Sequence, residues 1–267
     1  MVVPAELRQV ADRARPVTLA RERVLPVAEP LRPLLPDGAL ARGSAVAVAG
    51  VGATSLALNL AVGASLAGSW VVVVGLAELG LAAASEAGVD LRRLALVDAP
   101  ERGRWATVVA ALVGGVDVIV VDGRAPLTPS EGRRLASRVR ERGSVLVAVT
   151  PGSLGAVRRP GAWPVDVTLS VAAGRWEGLG DGHGHLRRRR VRVEAEGRGR
   201  AARPRRAELW LPSPGGPVAS VDPSPSFDGS NVVVPATTFE PAMGKGRAGE
   251  GTVVPFPAPG RRGEKAG

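Results

Sequence analysis

Hydrophobic and polar positions are unevenly spread along the chain, and its organising stretch is the longest uncharged run, in which no charged residue occurs between Arg42 and Glu78. Within it, Ala45–Ala49 is a short apolar run with β-branched valines, and Gly50-Val51-Gly52 is a glycine-rich turn. Thr54 or Ser55 stands where it can cap a helix. That helix is expected to run to about Gly68, a glycine suited to a helix C-terminus, with Trp70–Val74 returning as a second apolar strand. Two strands apolar on both faces and joined through a helix predict a βαβ crossover of a parallel sheet. The run is longer than the roughly 20 apolar residues that cross a bilayer. Gly50, Gly52, Asn59, Gly63 and Gly68 punctuate it, however, and four consecutive valines favour a strand, so a buried crossover is expected and no membrane contact.

Further alternation of apolar runs and turn residues extends the same plan. Leu79–Ala87 suits a short helix ended by Gly88, Leu94–Val97 a third strand, Trp105–Val113 a helix, and Val116–Val121 a fourth strand ending in Asp122. Thr128-Pro129-Ser130-Glu131 has the form of a capping box with proline at the first helical position, predicting a helix to about Arg142 with Gly143 ending it. Val145–Val149 and Val165–Val171 read as the fifth and sixth strands. Before this core, Pro4–Ala14 can form an amphipathic helix and Val24–Leu40 an apolar lead-in.

After Ala173 the pattern changes to period two. Arg190–Ala195 and Ala207–Leu211 both alternate and are expected to pair as an antiparallel hairpin, with Val191, Val193, Leu209 and Leu211 on one face and arginines on the other. Gly197–Arg206 would be the connecting basic loop. From Ser213 to Gly267, nine prolines and ten glycines in 55 residues predict a disordered tail. The expected divisions are therefore 1–42, a lead-in; 43–172, an α/β core with helices on both faces of a mostly parallel sheet; 173–212, a basic hairpin; and 213–267, the tail.

Charge sharpens the last of these readings. The net charge is +10, and Lys245 and Lys265 are the only lysines. Arginine richness of this kind follows coding composition, so its clustering is more informative than its amount. Ten arginines between Arg187 and Arg206 face only Glu194 and Glu196, and Arg187, Arg188, Arg189, Arg190, Arg192, Arg203, Arg205 and Arg206, with Trp210, form the candidate surface for DNA or for an acidic protein partner. A solvated charge run is the alternative. With no cysteine, thiolate metal sites and disulfides are excluded. His183 and His185 lack the further ligands a metal site needs and read as a turn. The N-terminal residues carry no apolar leader, so a cytoplasmic location is expected.

The candidate chemistry lies at the first turn. A loop from a buried strand into a helix N-terminus offers free N–H groups and a favourable dipole to a phosphate. A Gly-x-x-x-x-Gly-Lys-Ser/Thr loop needs a lysine for the phosphates and a hydroxyl for magnesium. Here Gly52, Thr54 and Ser55 keep the glycine and the hydroxyls, Gly50 opens the turn, and Ala53 stands where the lysine belongs. Gly50-x-Gly52 also matches the start of a dinucleotide-binding Gly-x-Gly-x-x-Gly, with Ser55 in place of the third glycine. Asp122 reads either as a magnesium carboxylate at the end of a strand or as a turn residue bonded to the Gly123 region. The expected vestigial site is thus Gly50, Gly52, Thr54, Ser55 and Asp122, without catalytic or metal-ligating residues and without a required ATP/Mg cofactor.

These elements, together with Leu31–Pro36, Gly68-Ser69-Trp70, Glu86–Ala95, Leu186–Val191 and Ala202–Pro212, resemble the RecA-like core of ImuA-type accessory proteins from high-GC bacteria. The resemblance covers roughly Leu25 to Pro212. It implies a RecA-like phosphate-loop fold and a role in the SOS response to DNA damage: a non-catalytic adaptor in translesion DNA synthesis, gripping an ImuB-like partner through the basic C-terminal region and, through it, an error-prone replicative polymerase. Direct contact with single-stranded DNA, or a RecA-like ATPase, is the alternative. By the same resemblance Asp122 matches the magnesium aspartate, and Glu78 falls one residue past the catalytic glutamate position, at Ala77.

Overall fold

In the computed structural model, residues 23–152, 162–179, 184–221 and 231–232 are described. The expected helix over Pro4–Ala14 and His183 lie outside them, as does the tail except for Ser213–Val221 and Asn231–Val232. The lead-in forms a strap: β1 (Val24–Leu25) pairs antiparallel with β2 (Leu40–Ala41), and between them runs a 3-10 helix, Glu29–Leu34. Prolines at 30 and 33 suit its short, tight turns, and Leu31 and Leu34 are fully buried.

The remaining elements follow in order: β3 (Ala45–Gly50), α1 (Ala53–Leu66), β4 (Val71–Val74), α2 (Leu81–Glu86), β5 (Leu94–Val97), α3 (Trp105–Leu112), β6 (Val118–Asp122), α4 (Pro129–Arg142), β7 (Val145–Pro151), β8 (Val167–Leu179), β9 (Gly184–Gly197), β10 (Arg205–Trp210), β11 (Ala219–Ser220) and β12 (Asn231–Val232). One ten-stranded sheet has the order β11-β10-β9-β8-β3-β7-β6-β4-β5, with β12 also on β8. Pairing is parallel from β8 through β3, β7, β6 and β4 to β5, and antiparallel from β8 outward to β11. This is an α/β fold with a mostly parallel central sheet, compatible with a Rossmann-like or RecA-like core.

Two apolar layers hold the sheet. On one face α1, α2 and the strap cover Val46, Val48, Val71, Val73, Val118, Val120, Val147, Leu169, Val191, Val193, Leu209 and Leu211. On the other, α3 and α4 bring Trp105, Val109, Leu135 and Val139 against Val72, Val74, Ile119, Val121 and Leu146, with Trp163 meeting Trp105 edge-on at 6.4 Å between ring centroids. Strands with a helix layer on each side have no polar face, and hence no alternation. The four-valine β4 and the Val-Ile-Val-Val start of β6 are buried throughout. The Thr128 capping box is present as expected, and Gly143 ends α4 in the left-handed conformation.

Three expectations change. The N-cap of α1 is Gly52, at φ 89° and ψ 15°, and no side chain caps the helix, so Thr54 and Ser55 lie inside its first turn. The sheet does not stop at residue 172. β8 continues through a register shift after Val171 to Leu179 and pairs with β9 along its length, so the basic hairpin extends the core sheet and the same apolar layer runs beneath both. The third concerns Ser213–Val221, expected in the tail. Val218 is buried, its N–H donates to Asn59 Oδ1 at 2.9 Å, and Ala219–Ser220 pair with β10. A proline-rich stretch can still be held when a buried acceptor and a free strand edge take up its N–H groups.

Candidate functional site: the Gly50–Ser55 turn and the arginine face

β3 delivers the turn to the carboxyl end of the sheet, between β7 and β8, and α1 starts directly from it. Crossovers leaving β3 run toward β4 over one face, while β6 and β7 return over the other. The mouth of β3 is therefore a switch point, where ligands of open α/β sheets bind. Glycine is required twice. Gly50 has φ +104°, and a Cβ there would lie 2.3 Å from the carbonyl oxygen of Val171 on β8; Gly52 has φ +89°.

A Cβ on Gly52 would also lie 2.5 Å from Arg189 Nη1. Arg189, expected on the basic surface, is on the inner face of β9, 7% exposed, and Nη2 donates to the carbonyl oxygen of Val51 at 2.7 Å. Its partner across the ladder is Trp176, whose ring lies 5.9 Å from the guanidinium carbon, and Gly174 leaves room for its Nε. Burial pushes its pKa below the ordinary arginine value. The cation at this turn is thus an arginine from a C-terminal strand, in place of the lysine absent at Ala53.

Asp122 ends β6 two strands away, with β7 between. Its carboxylate is held by Arg124: Oδ1 accepts from Arg124 N at 2.9 Å and from Nε at 3.0 Å, and Oδ2 from Nη2 at 3.0 Å. That ion pair, aided by the charge of Glu78, raises the pKa of Arg124. Gly123 N–H to Val149 O at 2.7 Å and Trp163 Nε1 to Ala125 O at 3.1 Å fix the loop. This is the turn arrangement, with a carboxylate bonded to its own loop.

Beyond β3 the second face of the sheet carries alternating polar residues. Arg188 reaches Glu177 at 2.6 Å and stacks over Trp210, 4.2 Å from its centroid. Arg190 and Arg192 both hold Glu208, Arg206 pairs with Glu194 at 3.3 Å, and Arg200 with Asp37 at 2.6 Å. The two guanidinium groups keep the Glu208 carboxyl below the usual carboxylate range. Five arginines that summed to a large field in sequence are thus set against four carboxylates, with Arg190 and Arg192 sharing Glu208. Arg187, Arg198, Arg203 and Arg205 make no ion pair among the described residues. His185 is exposed on β9, and the described residues hold no group of three or more His, Cys, Asp or Glu able to bind a metal. No helix among the described residues is long and apolar enough to cross a membrane.

Residues 33–154 match the family model described as the MT3502 N-terminal domain. The uncharacterized protein Rv3395c of Mycobacterium tuberculosis (strain ATCC 25618 / H37Rv) is 38% identical over 103 residues, which are 38% of this chain and 49% of that protein. The chain spans about half the length of this curated relative. The likeness is to a mycobacterial-type family. The family match takes in β3, the Gly50–Ser55 turn, α1 and Asp122, and ends before Arg189.

Proposed function

We propose that the chain is a non-hydrolysing RecA-like scaffold acting as an adaptor in damage-induced translesion synthesis, holding an ImuB-like partner by the C-terminal part of the sheet. The observation that carries this reading is that the chain's own arginines engage both polar ends of what would be a catalytic centre. Arg189 lies across the turn on Val51 O, and Arg124 takes both oxygens of Asp122. A magnesium ion would have to displace a bidentate guanidinium, and no lysine follows Gly52 to draw charge from a leaving phosphate. Without those two groups the fold offers surface instead of turnover.

The surface is the helix-free face of β8, β9 and β10. Its Arg–Glu pairs cross the strands, Trp210 stacked on Arg188 provides an amphipathic anchor, and exposed Arg198 and Arg203 at the β9–β10 connection, without an ion pair among the described residues, supply the positive rim. An acidic protein surface suits it better than bare DNA, because Arg188, Arg190, Arg192 and Arg206 already have carboxylate partners. Deleting 186–212 would be a poor test, since it removes two sheet strands that cover the core. The test is a set of surface changes, Arg198→Glu and Arg203→Glu with Trp210→Ala, assayed by pull-down of a co-expressed ImuB-like protein. Loss of capture with an unchanged circular dichroism spectrum and melting curve is expected. Undiminished capture, or magnesium-dependent ATP turnover that Asp122→Asn abolishes, overturns the proposal.

A further inference from the structure

We propose that the cavity between the strap and the β9–β10 connection is an anchor pocket for one leucine-sized apolar side chain on an acidic segment of a protein partner. The inference rests on the adaptor reading for there being a partner, and adds the chemistry of the contact.

The cavity lies where β3 and β8 begin, at the end of the sheet opposite the Gly50–Ser55 turn. Its floor is Leu35, Leu40, Val46, Val167 and Ala201, all buried and all part of the larger apolar layer. It stays unfilled because Ala39, Ala41 and Ala201 stand on its walls, where longer side chains would close it. Its volume is about 140 Å³. An aliphatic cavity of ~150 Å³ stays dry and takes one benzene, so a single apolar side chain matches the space.

The polar groups around the cavity are engaged within the fold. Asp37 accepts from Arg200 Nη2 at 2.6 Å, Asp166 Oδ2 accepts from Ala45 N–H at 2.8 Å, and Ser44 Oγ donates to Ala41 O at 2.6 Å. Among the described residues no enclosed side-chain nitrogen or oxygen lacks a partner. Nothing inside the cavity therefore calls for a polar ligand. It is also well below the roughly 300 Å³ at which small-molecule sites begin, and lacks the convergent polar groups that orient a ligand there. An apolar side chain carried by another protein meets both conditions, as interface anchors do.

The mouth sets the charge of that protein. Arg198 and Arg200 line it, both exposed, and Arg203 follows on the same connection. Arg205 folds back over this connection, Nη2 donating to Arg200 O at 3.4 Å. Four arginines thus stand against two carboxylates, Asp37 and Asp166, and Arg198 and Arg203 make no ion pair among the described residues. Acidic residues flanking the anchor complete the match, and Arg198 joins the cavity to the positive rim of the sheet face.

The test uses the full chain and a defined probe, a short acetylated peptide with one central leucine between aspartates, followed by fluorescence anisotropy. Saturable binding is expected. It should weaken at least tenfold when the peptide's leucine becomes alanine, and as much when its aspartates become lysines. Ala39→Leu fills the space from a half-buried wall position, so it should also bind at least tenfold more weakly while melting no lower than the native chain. Should that variant fail to fold, methyl NMR of the unaltered chain decides: the Leu35, Leu40 and Val167 resonances should move first. Equal binding by Ala39→Leu, or by the peptide without its leucine, refutes the pocket. Phenylacetate binding as tightly as the peptide would make the cavity a small-molecule site, and self-association lost in Ala39→Leu would seat a second copy there; either overturns the proposal. The adaptor reading fails separately. Peptide binding without capture of the ImuB-like protein removes that partner and keeps the pocket, whereas capture that Ala39→Leu does not weaken removes the pocket alone.

Discussion

Asn59 is the one polar side chain buried in the middle of α1, and Asn59→Leu is the sharpest probe of how the C-terminal segment is held. In the native chain Nδ2 donates to Ser55 O at 2.9 Å and Oδ1 accepts from Val218 N–H at 2.9 Å, with Asn59 2% and Val218 7% exposed. Leucine keeps the four-atom branched shape, so it leaves no cavity, and its helix propensity is better by about 0.5 kcal/mol; its larger methyl groups add a packing cost, which is why the effect must be localised at Val218. What it removes is the one acceptor that a buried backbone N–H has among the described residues. Leaving such a donor unpaired costs about 1–3 kcal/mol. Less the propensity gain, a net loss of about 1.5 kcal/mol is expected, or a Tm lower by about 3–6 °C for a domain of this size. Hydrogen exchange localises the effect: the Val218 amide should lose protection while β3 and β6 keep theirs, and limited proteolysis should begin to cut within residues 213–221. A variant that melts with the native chain and keeps Val218 protected would refute the claim that this bond pins the segment.

Three further outcomes follow from the same geometry. Gly50→Ala places a Cβ 2.3 Å from Val171 O at φ +104°, so it must part β3 from β8 at the turn; a loss of about 3 kcal/mol is expected, read as a lower urea midpoint at unchanged slope, and an unshifted midpoint would count against it. Glu208, its carboxyl held low by Arg190 and Arg192, contributes stability that is complete above the ordinary glutamate pKa of about 4.3 and is lost as pH falls through its lower folded value. Because Glu208 is on an open face the effect is small, but Glu208→Gln should flatten the acid limb of the stability profile, and an unaltered limb would contradict the pairing. Arg124→Ala should leave the fold intact and still give no ATP turnover, because freeing Asp122 does not restore the lysine missing at Ala53; turnover in that variant would be incompatible with the non-hydrolysing scaffold.

The resemblance to RecA-like proteins and the expected function rest on residues whose surroundings the sequence could not display. Asp122 illustrates this. As the carboxylate at the end of a buried strand it fits a magnesium ligand or a turn equally well, and the choice depends on Arg124, two residues on, folding back across it. The arginine patch is a second case. Counting charges along the chain made it a strong positive field, whereas pairing across strands sets Arg188 against Glu177 and Arg190 and Arg192 against Glu208, partners 11, 18 and 16 residues away.

By itself the sequence determined the elements whose signal is local: the uncharged βαβ unit from Ala45 to Val74, the capping box at Thr128, and the alternation that buries Val191, Val193, Leu209 and Leu211. It also held one fact that was there to be read, since the period of two that turns Val191 inward turns Arg189 inward as well. Only the tertiary structure decided where that inward arginine arrives, that β8 runs on to join core and hairpin in one sheet, and that Asn59 ties Val218 to α1. Periodicity reports which face a residue takes, because pleat and helix pitch are properties of neighbouring residues. What stands opposite that face is set by chain crossings over more than a hundred residues, and no local pattern encodes it.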